Sequence, residues 1–286
     1  MKSKLLFLAL VFILSIGYGQ GLDTPTLSPL SKTTQEFGLT SLSLEYSRPS
    51  ARGRTVFGSL VPYNQIWRTG ANASSKLTFQ DPIIIAGTTV APGSYAIYTI
   101  PGETQWTVII HKNTSLRSLA GDAYNPENDV FRFSVTPRQT QEYIESFTMQ
   151  FTGLKTDGVT LELSWENTVI NIPIRQDVDL IIQEQLATLM LTPDDVPHRT
   201  YFEAAQYYYS NNKQLFEAMA YINAALEKSP ENFRYGLLKA KIQDKAGAKE
   251  AAIKTINMAN QWAKNANNAN YIEQTELFKQ SLLVKD

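Results

Sequence analysis

The chain has 286 residues, of which 43% are hydrophobic and 19% are charged. This length accommodates one large or two ordinary domains, and the composition excludes a largely disordered chain. The 26 basic and 27 acidic residues give a net charge of −1, so the chain lacks the basic excess that nucleic-acid binding needs. With no cysteine and only two histidines, thiol chemistry is excluded, and we expect neither a cofactor nor a metal.

The N-terminus has the pattern of a secretory signal peptide. Lys2 and Lys4 precede an almost purely apolar run, Leu5–Ile16, and small residues follow at Gly17 and Gly19. The apolar run is shorter than the roughly 20 residues that a membrane-spanning helix needs. We therefore expect residues 1–19 to be removed, leaving a periplasmic or secreted protein without a stable membrane anchor.

Residues 20–175 predict an antiparallel β-sandwich. Apolar and polar residues alternate in short segments, which is typical of half-buried antiparallel strands. Two such segments carry their apolar residues at Leu42, Leu44 and Tyr46, and at Val159, Leu161, Leu163 and Trp165. Turn signals such as Asp157-Gly158 and Glu166-Asn167 separate the segments. Short strands at a spacing of about 8–12 residues favour a sandwich.

Residues 176–286 predict an all-α, tetratricopeptide-like helical domain, so the fold class is α+β with two domains. Ala, Leu, Lys, Glu and Gln dominate this part, as helices prefer. Segments 217–226 and 251–260 align at an offset of 34 residues, which resembles the period of tetratricopeptide repeats. Repeats of this kind present a surface to a peptide or protein partner. The pattern predicts helices near 178–190, 199–210, 214–228, 232–246, 248–264 and 269–283.

A dense run of Arg, Gly, Pro and aromatic residues occupies positions 46–75. Its characteristic residues are Tyr46, Ser47, Arg48, Pro49, Gly53, Arg54, Phe57, Gly58, Pro62, Tyr63, Trp67, Arg68, Thr69, Gly70, Ala71 and Asn72. This pattern resembles the domain of unknown function 2911 family, an exported family common in Bacteroidetes-type genomes. The resemblance covers about residues 25–175 and implies a fold without an assigned activity. His111 and residues 117–122 depart from the family pattern, which often has Asn and a Trp-Gly pair there.

Four arginines of this run, together with its aromatic residues, indicate a binding site. Guanidinium groups bind carboxylates and phosphates through paired hydrogen bonds, and aromatic rings stack on sugars. The run is therefore interpreted as an anion or glycan pocket, or else as an ordered crossover that its arginines pin to carboxylates and carbonyls. We expect no catalytic residue, and the ligand-binding candidates are Arg48, Arg52, Arg54, Trp67, Arg68, Asn72, Glu145 and His111.

Glu145 is the acid with the most unusual surroundings in the sequence. The alternation places it on one strand face with Tyr143, Phe147, Met149 and Phe151. A buried carboxylate must be paired or become protonated. We expect its side chain to point into the sandwich and to pair with one of Arg48, Arg54 and Arg68. The alternative is a catalytic acid with a raised pKa.

These features predict an exported, non-catalytic binding or scaffold protein of the cell envelope. The alternative is a hydrolase that acts on envelope glycans, with Glu145 and the arginine–aromatic run as its pocket. A glycosidase needs two carboxylates about 5–10 Å apart in an open cleft, whereas a scaffold would bury and pair its arginines. The expected partners are an anionic or glycan ligand and a peptide or protein, but not nucleic acid.

Overall fold

The computed structural model describes residues 22–119, 123–212 and 214–284, and the predicted signal peptide lies outside these ranges. The chain divides into two compact units between Val178 and Asp179. The first unit contains two antiparallel sheets and the second contains helices, which confirms the predicted fold class. Within the described ranges, no helix has the length and apolar composition needed to cross a membrane.

The first unit is built from strands in two sheets. One sheet has the order β1-β2-β3-β6-β7-β8 and the other has the order β5-β4-β10-β9, with every neighbouring pair antiparallel. The strands are β1 (Leu30–Phe37), β2 (Thr40–Ser47), β3 (Ser75–Phe79), β4 (Ile83–Ile85), β5 (Thr88–Val90), β6 (Gly93–Ile100), β7 (Trp106–His111), β8 (Asp129–Val135), β9 (Arg138–Thr152) and β10 (Gly158–Arg175).

The two sheets share one hydrophobic core, as expected of a sandwich. The predicted inward residues of β2 and β10 are all buried, and Leu42 and Leu44 are 0% exposed. They belong to one cluster that draws on both sheets. Each buried aliphatic or aromatic side chain of this kind stabilises the fold by about 1.5–3 kcal/mol. The period-two pattern of the sequence therefore identified the core faces of these strands.

Strands β6 and β7 are buried on both faces, which alternation alone does not predict. Ala96, Tyr98 and Ile109 point away from the main core, yet each is 0% exposed. They form a second cluster with residues outside the strands, including Leu116 and Tyr124. The connection after β7 thus covers the outer face of the sheet, so these central strands are apolar on both sides.

The second unit consists of helices whose bounds agree with the predicted ones within one residue at each end. They are α1 (Val178–Leu189), α2 (His198–Ser210), α3 (Leu215–Lys228), α4 (Phe233–Lys245), α5 (Lys249–Asn265) and α6 (Ala269–Val284). Small residues allow close packing, since a Cβ atom at Gly236 of α4 would lie 2.7 Å from the Ala259 Cβ of α5. Apolar residues from α1 to α4 form one cluster, and residues from α4 to α6 form another.

Candidate functional site

A surface cleft of about 740 Å³ lies beside the long connection between β2 and β3. This connection, residues 48–74, has no regular helix or strand and is called the cleft loop below. Four arginines line the cleft, and within the described chain the lining contains no carboxylate. Those arginines are Arg52, Arg54, Arg68 and Arg117.

The start of the cleft loop is fixed to β9 by main-chain hydrogen bonds. The Ala51 N–H donates to the Glu145 carbonyl (2.8 Å), and the Phe147 N–H donates to the Pro49 carbonyl (2.8 Å). The hydroxyls of Ser50 and Ser146 share a further hydrogen bond of 2.8 Å. The loop therefore follows the strand for several residues, which sets where Arg52 and Arg54 leave the sandwich.

The far end of the cleft loop has a strained backbone. Thr69 and Asn72 have φ values of 56° and 60°, in the left-handed region that residues other than glycine rarely adopt. Between them, Gly70 has a φ of 145°, and a Cβ there would lie 3.0 Å from the Ser47 carbonyl oxygen. Such backbone costs about 1–3 kcal/mol per residue and tends to cluster at functional sites.

The guanidinium groups of Arg52 and Arg54 donate only to neutral acceptors. Arg54 donates from Nε to the Ala51 carbonyl and from Nη2 to the Ser50 carbonyl, each at 2.9 Å. Arg52 donates from Nη2 to the Leu27 carbonyl at 3.1 Å. Among the described residues, neither arginine forms an ion pair. Their positive charges are oriented but not neutralised.

Arg68 and Arg117 form a second pair in the lining of the cleft. Arg68 donates from Nη1 to the Asn72 carbonyl (2.7 Å) and also to the Arg117 carbonyl. The Arg117 side chain has no hydrogen bond to any described residue. Neither the Arg68 guanidinium nor the Arg117 guanidinium forms an ion pair with a described residue. Asn72 donates from Nδ2 to the Ser28 carbonyl (3.2 Å), which ties the segment before β1 to the cleft loop.

Aromatic side chains pack beneath the cleft loop. Trp67 and Trp165 both line the cleft, and their rings stack with centroids 5.9 Å apart. Phe147 lies 5.0 Å from the Trp67 ring, edge to face. The Trp67 indole N–H donates to the Gly70 carbonyl at 3.1 Å. This packing holds the half-buried Trp67 in one orientation, so the cleft has a rigid floor.

Arg48 differs from the other arginine candidates because it does not line the cleft. Its Nε donates to the Phe147 carbonyl (3.2 Å), and its Nη2 donates to the Thr148 hydroxyl (2.8 Å). Both partners are on β9. Arg48 thus fixes the start of the cleft loop to the second sheet. This contact agrees with the structural interpretation of the arginine run.

The expected buried ion pair of Glu145 is absent, and this expectation is wrong. Glu145 is exposed, and its Oε1 accepts a hydrogen bond from the backbone N–H of Arg52 at 2.7 Å. The reason is an irregularity in β9, where Thr148 pairs with Ser164 but Ile144 pairs with Glu166. Only the part of β9 that follows this irregularity places every second side chain in the core. Phe147 is therefore 1% exposed, whereas Tyr143 is 51% exposed.

His111 lies at the end of β7 and is not among the residues that line the cleft. It is 0% exposed, and its Nδ1 accepts a hydrogen bond from the Asn113 N–H (3.0 Å). Its ring stacks on Tyr124 with centroids 5.0 Å apart. Neighbouring Tyr98 is also buried, and this burial raises the pKa of its hydroxyl, which bonds to Ser74 Oγ at 2.7 Å. His111 therefore orders the connection after β7 and does not line the cleft.

Two residues that matter for the site were not selected from the sequence. Arg117 lies outside the arginine run and reaches the cleft only through the tertiary fold. Glu166, interpreted as part of a turn signal, is instead inside β10 with a φ of 50°. Its carboxylate accepts from the backbone N–H groups of Val56 (2.8 Å) and Phe57 (3.4 Å) in the cleft loop. A glutamate with a left-handed backbone conformation inside a strand has no local signature in the sequence.

Among the described residues, no cluster of three or more His, Asp or Glu side chains is placed to hold a metal ion.

Comparison with known proteins connects the cleft loop to a family. A search of curated proteins finds no match to this chain. A family model described as "Protein of unknown function (DUF2911)" matches residues 28–174, which is more than half of the 286 residues and includes the whole cleft loop. The chain therefore belongs to the DUF2911 family.

Proposed function

We propose that this protein is an exported, non-catalytic binding protein of the cell envelope whose cleft takes an anionic ligand. The observation that carries the proposal is the cleft lining, where four guanidinium groups occur without a carboxylate among the described residues. Like charges concentrated in a cleft repel one another and raise the local concentration of anions. A bound anion would relieve this repulsion and accept charge-assisted hydrogen bonds.

A purely structural role for these arginines has less support. A scaffold would bury its arginines and pair them fully, because an exposed cation contributes little to stability. Arg52, Arg54 and Arg117 are instead exposed, and Arg68 is only half-buried. Arg52, Arg54 and Arg68 also donate to carbonyl groups, but only Arg48 joins the cleft loop to the second sheet through its guanidinium group. The arrangement favours binding over scaffolding as the role of the cleft.

The hydrolase alternative also has less support. It requires two carboxylates that converge on the reacting bond. Glu145 and Glu166 are the acids nearest to the cleft loop in the hydrogen-bond network, and both accept hydrogen bonds from its backbone N–H groups. Neither lines the cleft. Their contacts support a role in holding the loop rather than in chemistry.

The proposal is tested by calorimetric titration of the mature full-length protein with trigalacturonate and with neutral galactotriose. We expect heat of binding and a raised unfolding temperature with the acidic sugar only. Arg68→Gln should weaken binding at least tenfold, whereas Arg138→Gln, which changes a surface arginine paired with Glu162, should not. Equal binding of the two sugars, or release of reducing ends on incubation, would overturn the proposal.

Export is proposed from the N-terminal pattern, and a Bacteroidetes-type origin from the family resemblance. The charged start and the run Leu5–Ile16 are the features that support cleavage after Gly19. N-terminal sequencing of the mature protein should then begin at Gln20. Recovery of an intact Met1 form from the cytoplasm would contradict export.

The helical unit is proposed to be tetratricopeptide-like and to present a surface to a peptide or protein. Positions 34 residues apart are buried alike, which supports a repeated helix pair in α2–α3 and α4–α5. The buried pairs are Tyr201 with Tyr235, Tyr208 with Ile242, Ala218 with Ala252, Ile222 with Ile256, and Ala225 with Ala259. Pull-down of envelope proteins by the wild type, but not by a chain truncated after residue 178, would test the partner assignment.

A further inference from the structure

The arginines of the cleft fall into two pairs. A different part of the chain holds each pair in place. Arg52 and Arg54 follow the part of the cleft loop that is fixed to β9. Arg68 and Arg117 belong to the other pair, and the hydrogen bond from Arg68 Nη1 to the Arg117 carbonyl joins them. The two pairs line the same cleft. A ligand that occupies the cleft can therefore meet both pairs of cations.

Among the described residues, each pair keeps at least one guanidinium edge without a hydrogen-bond partner. A guanidinium carries five N–H donors. Arg54 uses Nε and Nη2 on the loop, which leaves Nη1 and the second Nη2 hydrogen. Arg68 uses Nη1 for both of its bonds, which leaves Nε and Nη2. Each remaining edge is a fork that matches a carboxylate, sulfate or phosphate with two parallel hydrogen bonds.

The cleft also offers apolar surface beside the cations. Leu27 and Leu60 are 71% and 41% exposed in its lining, and Trp67 contributes part of its ring. The volume of about 740 Å³ lies within the range of small-molecule sites and far exceeds the space that one inorganic ion fills. A ligand that suits this lining combines anionic groups with apolar faces, as the C–H faces of acidic sugars do.

We propose that the cleft binds an acidic oligosaccharide through two anionic groups at once, one on the free edge of Arg54 and one on the free edge of Arg68. This inference rests on the proposed function and specifies its ligand. Two linked contacts strengthen binding because the second forms within the complex, at a high effective concentration. A single acidic sugar engages only one fork and lacks this gain.

The test is calorimetric titration of the mature full-length protein with galacturonic acid and with trigalacturonate. We expect the trimer to bind about 100-fold more tightly than the monomer. Arg54→Gln and Arg68→Gln should each reduce this ratio to less than about fivefold, because only one of the two proposed contacts remains in either variant. Arg138→Gln serves as the matched control and should keep the full ratio. The unfolding midpoint of each variant reports whether the variant still folds.

The outcomes separate this inference from the proposed function. Monomer and trimer binding equally tightly would overturn the two-point inference and leave an anion-binding cleft in place. Inorganic phosphate and pyrophosphate form a second arm, because they distinguish a phosphate ligand from a sugar acid. A gain from phosphate to pyrophosphate without one from monomer to trimer would overturn the sugar assignment. Absence of binding by all four anions would overturn the proposed function as well.

Discussion

Single side chains decide the shape of the cleft, and two glutamates illustrate how. Glu145 and Glu166 both accept backbone N–H groups of the cleft loop, but Glu145 is exposed and Glu166 is half-buried. A buried donor that loses its acceptor costs about 1–3 kcal/mol, whereas a solvated donor finds water instead. The two acids therefore contribute unequally to stability, although both contact the same loop.

This difference can be measured by urea denaturation of one variant at each glutamate. Glu145→Gln should lower the free energy of unfolding by less than about 1 kcal/mol, because glutamine still offers an oxygen to the Arg52 N–H. Glu166→Ala should lower it by about 1–3 kcal/mol, because the Val56 N–H loses its partner. A loss of several kcal/mol for Glu145→Gln would instead support the buried ion pair that the sequence suggested.

The residue scale also shows where sequence reasoning reaches its limit. Arg52, Arg54 and Arg68 were identified because they are close in sequence within one run. Arg117 was missed because the tertiary fold, not the sequence, brings it to them. Glu145 was misplaced because an irregularity in β9 interrupts an alternation that looks continuous when only the residues are read.

Among the elements, helices followed their sequence signals more closely than strands did. A helix depends on contacts within a few residues, so composition and period locate its ends. The burial of a strand depends on both neighbouring layers. The outer face of β6 is covered by the connection after β7, and Glu166 continues β10 where a turn was predicted. These features depend on residues far apart in sequence.

Close packing between two helices provides a test at this scale. Gly236→Ala should destabilise the helical unit by about 1–3 kcal/mol, because the new methyl group would overlap Ala259 and Trp262. Helix propensity alone predicts the opposite sign, a gain of about 1 kcal/mol. Lys239→Ala on the same helix is the control and should change stability by less than about 0.5 kcal/mol. Thermal unfolding followed by circular dichroism distinguishes the two signs.

For the whole molecule, the net charge conceals the property on which the proposed function rests. The chain carries a net charge of −1, yet four guanidiniums meet in one cleft without a described acid in its lining. Composition correctly excluded thiol chemistry but could not reveal this local excess of positive charge. The cleft loop concentrates these cations. Two glutamates and the aromatic residues beneath the loop hold it in place.

The most direct test of the account is a crystal structure of the mature protein with trigalacturonate. We predict carboxylate oxygens at about 2.7–2.9 Å from the free guanidinium nitrogens of Arg54 and Arg68, in the same cleft. The Arg138→Gln variant should show the same ligand density, and Arg68→Gln should lose the carboxylate density next to residue 68. An oligosaccharide bound elsewhere, or an acid that folds into the cleft to pair with these arginines, would contradict the account.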